Sequence, residues 1–444
     1  MPRTFLFTVI FAGLLSCPLV ATAAQERATE PSQGEVKDTV PRGVLSDSPD
    51  DPENLLLAIE LRRTQKNSLI SVSPLEGLHE ATDRAKESLD DATHLSLALA
   101  FTQLFQWLSE APLSDTTWGT AAGLDVLGTW RLVDRGGPYQ GQIFFQVQGR
   151  WEYGTTGPER LGTVGVGSLV GTANTFSAYV PTFLPLRNLY WQQGSQEAGW
   201  AYRVGKITTD ATLSTSAYIA SPLTFLPTAG TGPFANALTD SGLGIVAAWY
   251  INNWLKLLGI ISDANADRSN LGNIGAGDFY KAVELAVKIA PKTENAGYSK
   301  FTLWHTDATE DGEPVNGHLG PEGWGFFVKL EQELTASGRA IGILRYGRSF
   351  NASAVYEEQL GVHFVLKDPT GVTRLQNDLL GVAFNWAQAN VSGARGEYNV
   401  EAFYRFPLFP QVDMSLSYQL LIHPALDPDN NSASAFGLRL RTTF

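Results

Sequence analysis

The chain has 444 residues, of which 43% are hydrophobic, 17% charged and 11% aromatic, with a single cysteine and a formal net charge of −13. The aromatic share is too high for a disordered chain, one cysteine excludes a disulfide scaffold, and the acidic balance argues against a nucleic-acid partner. Charged residues fall below the roughly 25% usual in soluble domains, and a mean hydropathy of −0.08 leaves several soluble domains and one large all-β unit equally open.

Residues 1–24 read as a secretory signal, with Arg3 ahead of an apolar run from Phe5 to Leu15 and small residues at Ala21, Thr22, Ala23 and Ala24. A mature chain beginning near Gln25 loses Arg3 and Cys17, so its formal charge is 31 − 45 = −14 and it has no thiol. Leu14-Leu15-Ser16-Cys17 also resembles a lipoprotein signal, but Leu15 is uncommon before the small residue, and Cys17 is read as part of the leader.

Residues 25–93 are acidic material, 15 acids against 8 bases, with Pro31, Pro41, Pro49 and Pro52 in the first half. This predicts a periplasmic extension that starts as a flexible arm and carries two helical patterns. One lies near 53–66 on Leu55, Leu56, Ile59 and Arg62, the other near 75–91 on Leu78, Ala81, Ala85 and Leu89. A solvated spacer, a plug, packing beneath the following domain, contact with other subunits and contact with the cell wall all fit such a segment.

No run of roughly 18 apolar residues follows the leader, so no spanning helix is predicted. A barrel crosses a membrane with period two instead. From 411 to 422, Val412, Met414, Leu416, Tyr418, Leu420 and Ile422 share one face, and Gln411, Asp413, Ser415, Ser417 and Gln419 the other. The last segment sets Phe436, Leu438, Leu440 and Phe444 against Arg439, Arg441 and Thr443; Phe145, Val147, Trp151 and Tyr153 oppose Gln146, Gln148, Arg150 and Glu152. Similar segments near 95–107, 121–133, 141–154, 187–193, 199–208, 243–252, 254–262, 278–290, 297–306, 323–334, 339–349, 358–367, 376–388, 397–406, 411–421 and 433–444 bring the total to about sixteen, an even number. The fold class is therefore all-β, a transmembrane antiparallel barrel of about 16 strands over 94–444, with longer links at 155–186, 209–242, 263–277 and 307–322.

A soluble sandwich would alternate too. Against it stand aromatics near strand ends on the apolar faces (Trp118, Trp130, Trp151, Tyr153, Trp249, Trp254, Trp386, Tyr418), which suit interfacial girdles, with charges such as Glu284 mid-strand opposite them.

Enzyme and metal motifs fail. His79-Glu80-Ala81-Thr82-Asp83 has Asp where a zinc protease needs its second His. Gly165-Val166-Gly167 lacks the third glycine of a dinucleotide turn, Ser168 lacks a nucleophile elbow, and the Asp263/Asn265/Asp267 and Asp427/Asp429/Asn431 series lack the glycine and glutamate of a calcium loop. Neither catalysis nor a cofactor is predicted.

The stretch from about 95 to 444 resembles the carbohydrate-selective outer-membrane porins of the OprB family. The phrases are Asn188 to Gln193, Tyr202 to Ile207, Ser221 to Leu226, Gly325 to Gln332, Leu344 to Gly347, Asn377 to Gly381, Glu401 to Arg405 and a tail with Tyr418-Gln419, Gly437-Leu438-Arg439 and Phe444. Two departures are Thr208, where an Asp is expected, and Ser417, where a Pro-Asp is expected. The resemblance implies facilitated diffusion of monosaccharides or small polar solutes across the bacterial outer membrane, in contact with its lipids; trimerisation is an expectation of the class. A sugar crossing a narrow pore exchanges water hydrogen bonds for protein ones, which favours charged side chains that bind hydroxyls. Strand parity places Arg131, Arg150, Glu152, Lys329, Glu331, Glu401, Arg405, Asp413, Gln419 and Arg439 on the inner face, with Phe403 as a candidate stacking ring. Arg203 lies opposite Trp200, Tyr202 and Val204 in character; Arg345 shares parity with Ile341 and Ile343, and its inward placement leans on the resemblance. Lys206 falls on the outer parity, where it would snorkel. Many such charges serve only to hold the wall in shape. A general diffusion pore, a barrel enzyme and an exported soluble β protein are the competing classes.

Overall fold

Sixteen strands of alternating character close on themselves through main-chain hydrogen bonds, which leaves no unpaired edge. The computed structural model describes residues 41–64, 67–174, 184–293, 295–309 and 317–444; the leader and the first part of the arm lie outside them. The strands are β1 Leu95–Leu108, β2 Trp118–Val133, β3 Gly141–Tyr153, β4 Leu186–Ser195, β5 Trp200–Ile207, β6 Gly242–Tyr250, β7 Leu255–Asp263 and β8 Phe279–Val287. They continue as β9 Ser299–Thr306, β10 Gly323–Glu333, β11 Ala340–Phe350, β12 Tyr356–Lys367, β13 Leu379–Ala389, β14 Glu397–Phe409, β15 Val412–Ile422 and β16 Ser432–Thr443. Each pairs antiparallel with its sequence neighbours, and β1 closes on β16 with Ala100 opposite Thr443 and Leu108 opposite Ala435.

The outer face is apolar along its length, with Val283, Leu303, Val362 and Leu416 about half exposed. Trp118, Trp130, Trp249 and Trp254 are exposed close to strand ends, and Tyr418 is exposed nearer the middle of β15. Connections at one end are short, such as 196–199 and 410–411, while those at the other include 154–185 and 208–241. The long links 154–174 and 208–241 turn inward and pack on the inner wall. This explains why Ile341 and Ile343 share a face with Arg345: both are buried against Phe225, Ala217 and Ile219 of the inserted loop.

Before β1 come α1 (Pro52–Thr64) and α2 (Glu76–Thr93). Asp51 starts α1: its carboxylate accepts the Glu53 amide at 3.1 Å, and Pro52 occupies the first position, where no amide is needed. Leu55, Leu56 and Ile59 on one face are buried in a cluster with Leu127, Phe144 and Tyr190 of the inner wall, each worth roughly 1.5–3 kcal/mol of burial. The stretch from 42 through α1 therefore sits inside the barrel. Arg62 is tied to Asp413 at 2.9 Å, and Arg63 reaches Glu87 of α2 at 2.7 Å. Helix α2 stays at the short-turn end, where Asp90 pairs with Arg131 and His79 packs on Phe444.

Candidate functional site

Loops buried inside a barrel bring backbone groups that have lost water and must find partners. The inner-face side chains supply them. Glu401 accepts the Leu226 amide at 3.1 Å, Arg439 donates to the Thr224 carbonyl at 2.8 Å and to that of Ser221, and Arg405 donates to Leu223 at 3.3 Å. Arg345 donates to the Gly230 carbonyl at 2.7 Å, and Gln419 to that of Thr172 at 2.8 Å. Glu397, which parity reasoning did not single out, accepts the amides of Leu169 at 2.9 Å and Val170 at 3.2 Å. These side chains clamp the loops that narrow the lumen.

A second group holds the N-terminal segment. Arg203 lies 2.7 and 3.2 Å from the two Asp51 oxygens and 4.1 Å from the Tyr190 ring centre. Lys300 stands 3.0 Å from Asp47, and Lys329 bonds Glu331 at 2.8 Å while Glu331 also faces Arg42 at 3.2 Å. Burial alone would raise the Asp47 carboxyl, but Lys300, Arg42 and Lys329 hold it well below the usual carboxylate range. The Val44 carbonyl accepts from Tyr250, and Ser46 donates to the Ala211 carbonyl, so the segment also touches the inserted loop.

Between segment and loop lies a narrow cavity of about 50 Å³, well below the roughly 300–1,000 Å³ of small-molecule sites. Asp50, Arg150, Arg187, Asp210 and Arg345 line it with the hydroxyls of Ser48, Ser214 and Ser216. Arg150 faces Asp125 at 3.4 Å, and Arg187 pairs with Asp210 at 2.8 Å. Arg187 escapes parity reasoning for a physical reason. The pairing of β3 with β4 shifts register between Gln146–Asn188 and Val147–Leu186, and a bulge breaks period two. Loop residues such as Asp210 carry no periodic signal.

Three expectations need correction. Phe403 is 2% exposed: Phe225 packs edge-on at 4.9 Å, and its ring fills the space beside Gly381, where a Cβ would come within 2.2 Å of it, so no face is free to stack on a sugar. Lys206 does not snorkel; its ammonium is covered by the carbonyls of Asp267 and Arg268, each at 3.1 Å, and Asn270. Arg131 and Glu152 have the inner parity but sit at opposite rims, Arg131 on Asp90 and Glu152 at 3.9 Å from Arg160, away from the narrow region.

Asp50 titrates near neutrality. Burial, then the charge of Asp125, raises its carboxyl to about 6, with Asp210 adding to the rise and Arg441 and Arg187 opposing it. The seated segment thus favours protonated Asp50, a contribution fully present below the ordinary value of 3.8 and lost as pH rises through about 6. Release of the segment is expected to be easier at pH 8 than at pH 5, and Asp50→Asn to flatten that dependence. Protease cleavage within 42–51 across this range, on barrels kept folded, measures it; an equal slope in the variant would remove Asp50 from the account.

No family model matches the chain. The high-pH structure of Pseudomonas putida OprB superposes with a TM-score of 0.66 at 13% identity, covering 86% of this chain and 99% of that one. The likeness is one of fold. The low-pH structure of the same protein gives a TM-score of 0.48 at 10% identity, over 82% of this chain and 96% of that one, and nothing further rests on it. An uncharacterized protein of Synechocystis sp. is 28% identical over 138 residues, 29% of this chain. That match spans about a quarter of the relative's length (24%).

Proposed function

We propose that the chain is an outer-membrane porin that passes monosaccharides and other small hydrophilic solutes by facilitated diffusion, exported with its leader removed near residue 24 and assembled as a homotrimer. The observation that carries this is the closed sixteen-strand barrel with an apolar exterior and a cavity of arginines, carboxylates and serine hydroxyls inside it. Such a wall suits a channel. Arg150 and Arg345 offer planar forks that match paired hydroxyls, and the carboxylates of Asp50 and Asp210 accept from others. The OprB-like fold agrees with this reading. Without a free aromatic face among the inner-wall candidates, selection falls to hydrogen bonding.

Liposome swelling with detergent-refolded mature protein tests it. Glucose is expected to enter several-fold faster than disaccharides and than cationic solutes of similar size, and Arg150→Gln to reduce that preference. Uptake ordered by size alone would leave a general diffusion pore, and a mature protein soluble without detergent would overturn the membrane assignment.

A further inference from the structure

The wall beneath the N-terminal segment carries more positive charge than the wall itself balances. Arg203, Lys256, Lys300 and Lys329 stand there with Glu284 and Glu331, all 3% exposed or less. Four positive and two negative formal charges leave 4 − 2 = +2. Arg42, Asp47, Asp51 and Glu53 bring 1 − 3 = −2, so the belt is neutral only while the segment is seated. Buried charges without partners cost several kcal/mol each. The wall carboxylates are already engaged: Glu284 accepts the Ser214 amide at 2.6 Å and the Thr302 hydroxyl at 2.9 Å, and Glu331 accepts Lys329. Arg203 meets a carboxylate supplied by the segment, and Lys300 stands between Asp47 of the segment, at 3.0 Å, and Glu284 of the wall, at 3.7 Å. Lys256 lies over the rings of Tyr250 and Tyr298, 5.6 and 5.1 Å from their centres, and makes no ion pair among the described residues.

We propose that this belt is an anion-binding station on the solute path, filled by Asp47 and Asp51 while the segment is seated and by a small carboxylate-bearing solute, such as a sugar acid, when the segment leaves. The paired approach of Arg203 to both oxygens of Asp51 shows the carboxylate geometry that the station takes. Rings of Lys and Arg are how pores select anions. The inference rests on the porin reading.

Single-channel recording of the full mature chain in planar bilayers, under a potassium gluconate gradient, tests it. The reversal potential is expected to show gluconate crossing several-fold more readily than potassium, against its lower mobility in bulk water. Lys300→Gln/Lys329→Gln should bring that ratio toward one, with heat-modifiable gel migration showing the barrel folded. If that variant does not fold, Lys256→Gln, which breaks no ion pair, should lower the ratio in the same direction. A wild-type channel that prefers potassium, or a ratio unchanged in the folded variants, overturns the station while leaving the pore. A protein that passes neither ions nor glucose overturns the porin reading and the station together.

Discussion

Oxidation of a Ser46→Cys/Thr215→Cys variant is expected to shut the pore, and reduction to reopen it. Ser46 belongs to the N-terminal segment and Thr215 to the inserted loop, and their hydroxyl oxygens lie 3.5 Å apart in a buried contact. Sulfurs at those positions need move little to reach the bonding distance of about 2.05 Å. Cys17, the one native cysteine, precedes the expected mature start, so no other thiol competes. Because the reduced variant is its own reference, loss of the contact from Lys300 to the Thr215 hydroxyl cancels. Swelling rates should fall at least about tenfold on oxidation, since a disulfide removes the released states of the segment altogether. Equal rates in the two states would mean that solute passes with the segment in place, which would then be a lining and not a gate.

Asp51→Ala should have the opposite effect. Asp51 is wholly buried and Arg203 is 1% exposed, so the substitution leaves the guanidinium with Gln192, at 2.9 Å, the Tyr190 ring and the charge of Glu53 but no directly paired carboxylate. Breaking a buried pair from one side costs about 3–5 kcal/mol, and here that cost falls on the seating of the segment because the strands keep their own hydrogen bonds. The open fraction in single-channel records should rise by about two orders of magnitude or more, at about 1.4 kcal/mol per factor of ten. Asp51→Ala/Arg203→Met removes both charges and should restore part of the closure, a coupling that a double-mutant cycle measures directly. An open fraction unchanged in Asp51→Ala would show that the apolar face of α1, not this pair, holds the segment.

The barrel was legible because each strand solves the same two-sided problem. Val412 to Ile422 and Phe145 to Tyr153 sort by parity whatever lies far away in sequence, and all sixteen segments appear as strands with ends shifted by a few residues. The interior was legible only in part. Parity says that Arg203, Glu401 and Arg439 face inward, but not that Asp51, the Leu226 amide and the Thr224 carbonyl are waiting for them, since those partners lie on segments without period. Phe403 illustrates the same gap: its direction follows from the strand, while its cover, Phe225, comes from a loop. Arg187 marks the other limit, where one bulge reverses the face and no residue type announces it. The helices of the N-terminal stretch could be drawn from spacing, yet an acidic, proline-bearing segment carries no mark of where it docks.

The seating of that segment also bears on the order in which the protein folds. Its contacts are among the longest in the chain: Arg42 meets a residue 289 positions on, Asp51 one 152 on, and Arg62 one 351 on. The segment, which precedes every strand in the chain, therefore has no seat until β5, β9, β10 and β15 are in place. Closing such loops forfeits chain entropy before any contact repays it, so the step falls late. Until then the barrel is an unoccupied ring with a basic belt, and the newly made protein passes through a stage in which its interior is at its widest.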